Sequence, residues 1–474
     1  MIPRRLVSLA LSTVLLACSS EPPYDVVIAN GRVMDPESGL DSVRNIGIRA
    51  GRIEAISAGA LKGTRVIDAT GLVVAPGFID LHEHGQQEES YGLMVRDGVT
   101  SALELEVGTA QVAPWYAARE AGQIVNYGVS IGHMQVRIKV FNDPGKGIAP
   151  VGIGASGQAT EAQIVEMEEM FRKGLDEGAI AVGLGSAYTP GATIAEIERV
   201  FRVAAQGGAS AHIHMRNDLA GLDSTIAAAK SAGAKLHVVH VNSSGDTSLA
   251  GFLAHIQAAR DAGQDVTTEA YPYAAGMTEI TAALFDDWKN WSDARIAQHQ
   301  LVATGERLTR KTFGEARARR DINPTVIIHS RTEEQTRAAV VSPLTMIASD
   351  GFIENGRGHP RTSGSYSKVL GKYVREEKAL SLMDAIRKMT LMPAQRLEAR
   401  VPAMAQKGRI RVGADADLTI FDPATVIDRS TYEDATIPSA GIPFVLVGGQ
   451  VAVDSGKVTA ARAGKAIRAP LVNR

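Results

Sequence analysis

The chain changes texture twice along its length. From Asp25 to Asp68, short runs of apolar and β-branched residues are broken by turn residues, as in DVVIANGRVMD, NIGIRAGRIEAI and GTRVID. This pattern predicts half-buried strands, and Asn30-Gly31 and Ala50-Gly51 predict hairpin turns between them. The C-terminal stretch repeats the texture in GRIRVGADADLTIFD and GIPFVLVGGQVAVDSGKV. Residues 25–74 and 401–474 therefore read as two parts of one small β-sandwich domain. Between them, the apolar runs VVAPGFIDLH, TSALELEV, YGVSIGHM, AIAVGLGS, ASAHIHM, KLHVVHV, DVTTEAY, TVIIHS and MIASD alternate with amphipathic stretches. EAQIVEMEEMFRKGLDEG and IAEIERVFRVAAQGG have apolar residues at helical spacing and a glycine at the C-terminal end. Buried strands alternating with helices mean a parallel sheet. About eight such units across residues 75–400 predict an α/β fold of the (β/α)8 TIM-barrel type. The charged segment Leu284–Asp321 is expected to be helical and to sit on the barrel rim.

Composition narrows the partners. Lys plus Arg is 50 against 52 Asp plus Glu, so no basic excess exists for a nucleic-acid backbone. The single cysteine, Cys18, excludes an intrachain disulfide. It ends an N-terminal segment in which Arg4 and Arg5 precede the apolar run Leu6–Ala17. Residues 1–17 thus resemble a bacterial lipoprotein signal peptide, with Cys18 lipidated and residues 18–24 a tether. The expectation is an exported, periplasm-facing envelope protein that meets the membrane only through that anchor.

Candidate chemistry gathers at the C-terminal ends of the expected strands, where barrel enzymes place their sites. His82-Glu83-His84 follows the first strand, and residues two apart on a strand point the same way. Glu104 and Glu106 share one face of an apolar strand, where a buried carboxylate needs a partner. A ligand must reach the rim, which favours Glu106 over the deeper Glu104, although both remain candidates. Of the pairs His212/His214 and His237/His240, the terminal His214 and His240 are the expected ligands and the deeper two the packed ones. Asp350 ends the last strand, where an acid can touch a metal and move a proton. Four histidines, a glutamate and an aspartate suit Zn2+, with one or two ions per chain.

PGFIDLHEH resembles the opening metal motif of the amidohydrolase superfamily. The run from Gly178 to Gly191, HMR at His214–Arg216, YPYAAG at Tyr271–Gly276, SDG…HPR from Ser349 to Arg361, RKMTLMPAQRL and GRIRVGADADLTIFDPATV are similar to the N-acyl-D-amino-acid deacylases, or D-aminoacylases. The resemblance implies zinc-dependent hydrolysis of a linear amide in an N-acyl amino acid or dipeptide, with Asp350 as the catalytic, proton-handling residue. Tyr188 would face the developing oxyanion, and Tyr271 and Arg361 would hold the polar end of the substrate. The chain departs from the pattern in four places. Gly85 and Gln86 replace two acids, and no cysteine follows the second strand. Asn242 stands where those deacylases grip the substrate carboxylate with a lysine, and Met277 replaces a serine. The rival readings are a cyclic-amide hydrolase, which needs a lysine absent from Ala179–Tyr188, a dipeptidase, and a non-catalytic ligand-binding lipoprotein.

Overall fold

The computed structural model describes residues 23–472; the expected signal segment and Cys18 lie outside them. Its centre is a barrel of eight strands: Phe78–Asp80, Val99–Thr109, Asn126–Gly132, Val182–Gly185, Ser210–His214, Lys235–Val238, Val266–Ala270 and Thr345–Ile347. They pair in chain order and all run parallel. The first and eighth strands meet just beyond their ends, through a parallel bridge between Glu83 and Gly351. There the Asp350 amide donates to the His82 carbonyl at 2.6 Å, and the Ser349 amide to Asp80 Oδ1 at 3.1 Å.

The helices form as the periodicity predicts. Glu161–Asp176 starts at a Thr160/Gln163 capping box, and Ile194–Gln206 starts at a Thr193 cap. Their apolar faces (Phe171, Leu175, Ile197, Phe201) pack on Val129, Ile131 and Val182 of the barrel in one buried cluster. Among the described residues no helix is long and apolar enough to cross a membrane.

Both chain ends enter one nine-stranded sheet, in which Val73–Pro76 pairs antiparallel with Leu418–Phe421. Ile28, Val33, Ile46, Ile53, Val74, Leu418, Ile420 and Leu446 from both ends form its apolar cluster. The run VVAPGFIDLH therefore serves two sheets, splitting at Gly77.

Two local expectations are corrected. Asn30-Gly31 is not a hairpin but a bulge inside the strand Tyr24–Asp35, since an Asn at φ 60° suits either feature. Ala50-Gly51 is the hairpin, with φ of 49° and 78°. TVIIHS is not a barrel strand: Thr325–Ile328 pairs antiparallel with Gly276–Glu279 and His299–Leu301 on the rim. A short apolar run carries no period that separates the two settings. The segment Leu284–Asp321 accordingly holds the strand His299–Leu301 besides the helices Asp293–Ile296 and Arg310–Ala318.

Asp417 ties the terminal sheet to the barrel. It accepts from Asn126 Nδ2 at 2.9 Å, from Lys407 Nζ at 2.6 Å and from the Gly448 amide at 2.7 Å. Burial works against charge on Lys407, but Asp417 and Asp415 raise its pKa above the ordinary lysine value. Asp417→Ala leaves Lys407 only Asp415, at 3.0 Å. It should lower the unfolding free energy by roughly 2–3 kcal/mol, read from the urea midpoint at unchanged slope.

Candidate metal centre

The mouth of the barrel collects side chains from separate strand ends. His82 and His84 follow the first strand and face each other, Nε2 to Nε2, at 3.2 Å. Glu106 reaches them from the second strand, with Oε2 2.6 Å from His82 Nε2 and 3.6 Å from His84 Nε2. Its other oxygen lies 3.3 Å from Nδ1 of His214, at the end of the fifth strand. His240 follows the sixth strand, and its ring centroid is 4.4 Å from that of His214. Asp350 follows the eighth strand, with Oδ1 3.2 Å from His84 Nε2 and 3.5 Å from His82 Nε2. Two groups result, His82–His84–Glu106–Asp350 and Glu106–His214–His240, each with ligand atoms within 4.8 Å of one another. Glu106 belongs to both.

Local backbone features aim these groups. The register of the second strand shifts after Glu104, and Gly183 lets its backbone come close: a Cβ there would lie 2.1 Å from the Glu106 carbonyl oxygen. His240 and Asp350 have φ of 32° and 51°, a left-handed conformation that costs a side-chain-bearing residue free energy and clusters at functional sites.

A second layer orients the rings. Glu269 Oε1 is 2.5 Å from His82 Nδ1, and Glu104 Oε2 is 2.6 Å from His84 Nδ1. Each Nδ1–H donates to its carboxylate, which turns Nε2 inward toward the cluster, the usual support of a metal-bound histidine. Ser244 Oγ lies 3.3 Å from His240 Nδ1.

The donor set fits a cation. Glu106 Oε1 and both ring nitrogens of His214 are buried without a hydrogen-bond partner. Burial opposes charge on His82, yet Asp350, Glu269 and Glu106 raise its pKa well above the ordinary histidine range. Burial opposes charge on Glu106 as well, and His82 and His214 hold it far below the usual carboxylate range. So many acids around two imidazoles call for positive charge at the centre, which a divalent ion supplies better than a proton. Burial, with His214 alongside, pushes His240 down to about 3, so it is neutral and able to ligate at physiological pH. Nitrogen and carboxylate donors without thiolate suit zinc.

His84, Glu106, His214, His240 and Asp350 form the floor of a cavity of about 520 Å³. Its walls carry Tyr188, Tyr271, Met277 and Arg331, with Ile148, Leu284, Phe285 and Trp291 forming an apolar lobe.

Residues 73–452 match the amidohydrolase family. The chain belongs to that family. This amidohydrolase is 32% identical to the N-acyl-D-glutamate deacylase of Alcaligenes xylosoxydans xylosoxydans, across 90% of this chain and 93% of the relative. It is 29% identical to the D-aminoacylase of the same organism, across 95% and 98%. In three dimensions it resembles the N-acyl-D-glutamate deacylase of Bordetella bronchiseptica, solved with zinc and a phosphonate inhibitor that mimics the tetrahedral intermediate. The TM-score is 0.82 at 26% identity, covering 94% of this chain and all (100%) of that one.

The six expected ligands of the amidohydrolase lie together, and geometry separates the two glutamates: Glu106 enters the cluster while Glu104 supports His84. The deeper histidines are packed as expected, His212 against Ser210 and His237 between Thr267 and Glu269. Tyr188 lines the cavity with its hydroxyl 3.0 Å from Thr278 Oγ1, and Tyr271 lines it as well. Arg361 is placed differently from its expected substrate position. It is fully buried, does not line the cavity, and its Nη1 is 2.7 Å from Asp350 Oδ2. Asn242 holds the Tyr271 backbone, its Nδ2 donating to that carbonyl at 3.0 Å. Two residues escaped the sequence reading. Glu269, in the run DVTTEAY, carried the same buried-acid signal as Glu104. Arg331 carried none, because its place in the cavity follows from the rim sheet.

Glu106→Gln should strip metal from the dialysed protein, measured by elemental analysis. Glu104→Gln should retain the metal with affinity lowered about 10–100-fold. Full metal retention by Glu106→Gln would exclude a shared carboxylate.

Proposed function

We propose that the protein is a zinc-dependent deacylase that hydrolyses the amide bond of N-acyl-D-amino acids. The observation that carries this reading is the position of Asp350 on the cavity floor, with one oxygen at the histidine cluster and the other held from beneath by the buried Arg361. The D-configuration is supported by the activities for which the related deacylases are named. His82, His84, Glu106 and Asp350 would hold one ion, and Glu106, His214 and His240 a second. When bound, zinc polarises a carbonyl and makes water nucleophilic near neutral pH.

The protein side chains manage the proton and the charge. Burial opposes ionisation of Asp350, but Arg361 and then His82 depress its pKa far below the ordinary aspartate value, so it begins as a base. It takes a proton from the attacking water and delivers it to the amine nitrogen as the C–N bond breaks, giving a carboxylic acid and an amine, which exchange the remaining proton to leave as carboxylate and ammonium. Burial, with Glu106 nearby, keeps the Tyr188 phenol protonated, so it can donate to the oxyanion that develops on the carbonyl. Arg361 positions Asp350 rather than touching substrate.

Turnover of N-acetyl-D-amino acids, N-acetyl-L-amino acids and dipeptides by the zinc-loaded protein tests this reading. D-selective deacylation is expected; cleavage confined to L-substrates or dipeptides would overturn it. Asp350→Asn should lower kcat about 10²–10⁴-fold. Retention of most activity would remove its assigned role.

Export and lipid anchoring at Cys18 are part of the proposal, supported by Arg4-Arg5, the apolar run and Leu15-Leu16-Ala17-Cys18. Cys18→Ser should release the protein from the membrane fraction of a bacterial host and abolish incorporation of labelled palmitate.

A further inference from the structure

Arg331 lies just beyond the rim strand Thr325–Ile328 and faces the same cavity as Glu106, His214, His240 and Asp350. Its guanidinium is fixed in place. Nη2 donates to the Tyr271 hydroxyl at 2.6 Å, Nη1 to Ser243 Oγ at 3.3 Å, and its backbone amide to the Ala274 carbonyl at 3.3 Å. Nε is buried without a partner, and none of the ion pairs among the described residues includes Arg331. The other guanidinium against the Tyr271 ring, Arg361 at 4.6 Å, is spent on Asp350. Arg295, also in the cavity wall, lies over the Trp291 ring at 3.8 Å and is exposed.

A partly desolvated guanidinium with no anion beside it is costly, and its planar fork matches a carboxylate. Space for that anion is built in at Gly276. A Cβ there would lie 3.2 Å from the Tyr271 hydroxyl and 3.4 Å from Arg331 Nη2. We propose that Arg331, with Tyr271 and Ser243, binds the α-carboxylate of the amine half of the substrate. The proposal rests on the deacylase reading above. The distances suit it: the Tyr271 ring centroid is 5.4 Å from the Arg331 guanidinium carbon and 6.3 Å from the His240 ring centroid. In an N-acyl amino acid the carboxylate is one carbon away from the scissile nitrogen. Its anion therefore falls about one side chain from the reacting centre.

The test compares the N-acetyl-D-amino acid that the zinc-loaded wild type cleaves best, chosen with an apolar side chain, with its α-carboxamide. Arg331→Gln should lower kcat/KM for the acid by roughly 100-fold, mainly through KM, and change the carboxamide less than about threefold. Arg331→Lys should recover part of the preference for the acid. Gly276→Val, which fills the space and leaves the arginine in place, should also erase that preference. Equal losses on acid and carboxamide would mean that Arg331 only holds the loop, and an unchanged preference would place the carboxylate elsewhere; either overturns the proposal. If the wild type cleaves no N-acyl amino acid, the deacylase reading fails and this proposal falls with it. If the wild type cleaves them and Arg331→Gln keeps its preference for the acid, this proposal alone falls.

Discussion

The hydrogen bond from the Asp350 amide to the His82 carbonyl, 2.6 Å long, is where the eight-stranded sheet becomes a barrel. Its two partners are themselves candidate ligands, so barrel closure and assembly of the site are one event. At this seam Asp350 is left-handed, with φ 51°, and its carboxylate lies against His82 and His84. The same seam is held by the His84 amide, which donates to the Gly351 carbonyl at 3.0 Å, and by the Ser349 amide, which donates to Asp80 Oδ1 at 3.1 Å.

What gathers there is a concentration of buried charge that no apolar core would tolerate unpaired. Glu104, Glu106, Glu269 and Asp350 surround His82 and His84, and each acid has a separate duty. Glu104 and Glu269 fix ring orientation, Glu106 is shared between two ligand groups, and Asp350 spans the cluster and Arg361. The surrounding fold is spent on holding these groups in place: Gly183 admits the backbone at Glu106, and the rim sheet walls the cavity above them.

Tyr271 joins chemistry to recognition. Its ring lies against two guanidinium groups, one at 4.6 Å that is committed to Asp350 and one at 5.4 Å that faces the cavity. Asn242 pins the backbone of Tyr271 at 3.0 Å. Two arginines of identical chemistry thus take different places, one paired with Asp350 and the other facing the cavity. Burial and the neighbouring carboxylate decide which.

The spacing of apolar and polar residues specified the strand–helix alternation, the joining of the two chain ends in one β domain, and strand-end histidines at 82, 84, 214 and 240. These features are local: a strand turns its side chains to alternate faces, and buried polar residues on an apolar run are conspicuous in one dimension. Tertiary structure decided the rest. It chose Glu106 over Glu104 through a shift in register, moved Thr325–Ile328 from the barrel to the rim, and turned Asn30-Gly31 into a bulge. It also withdrew Arg361 from the cavity and brought Arg331 into it. Those outcomes depend on which distant backbone passes within hydrogen-bonding reach and on which charge finds a buried partner, and neither is written in the spacing of residues along the chain.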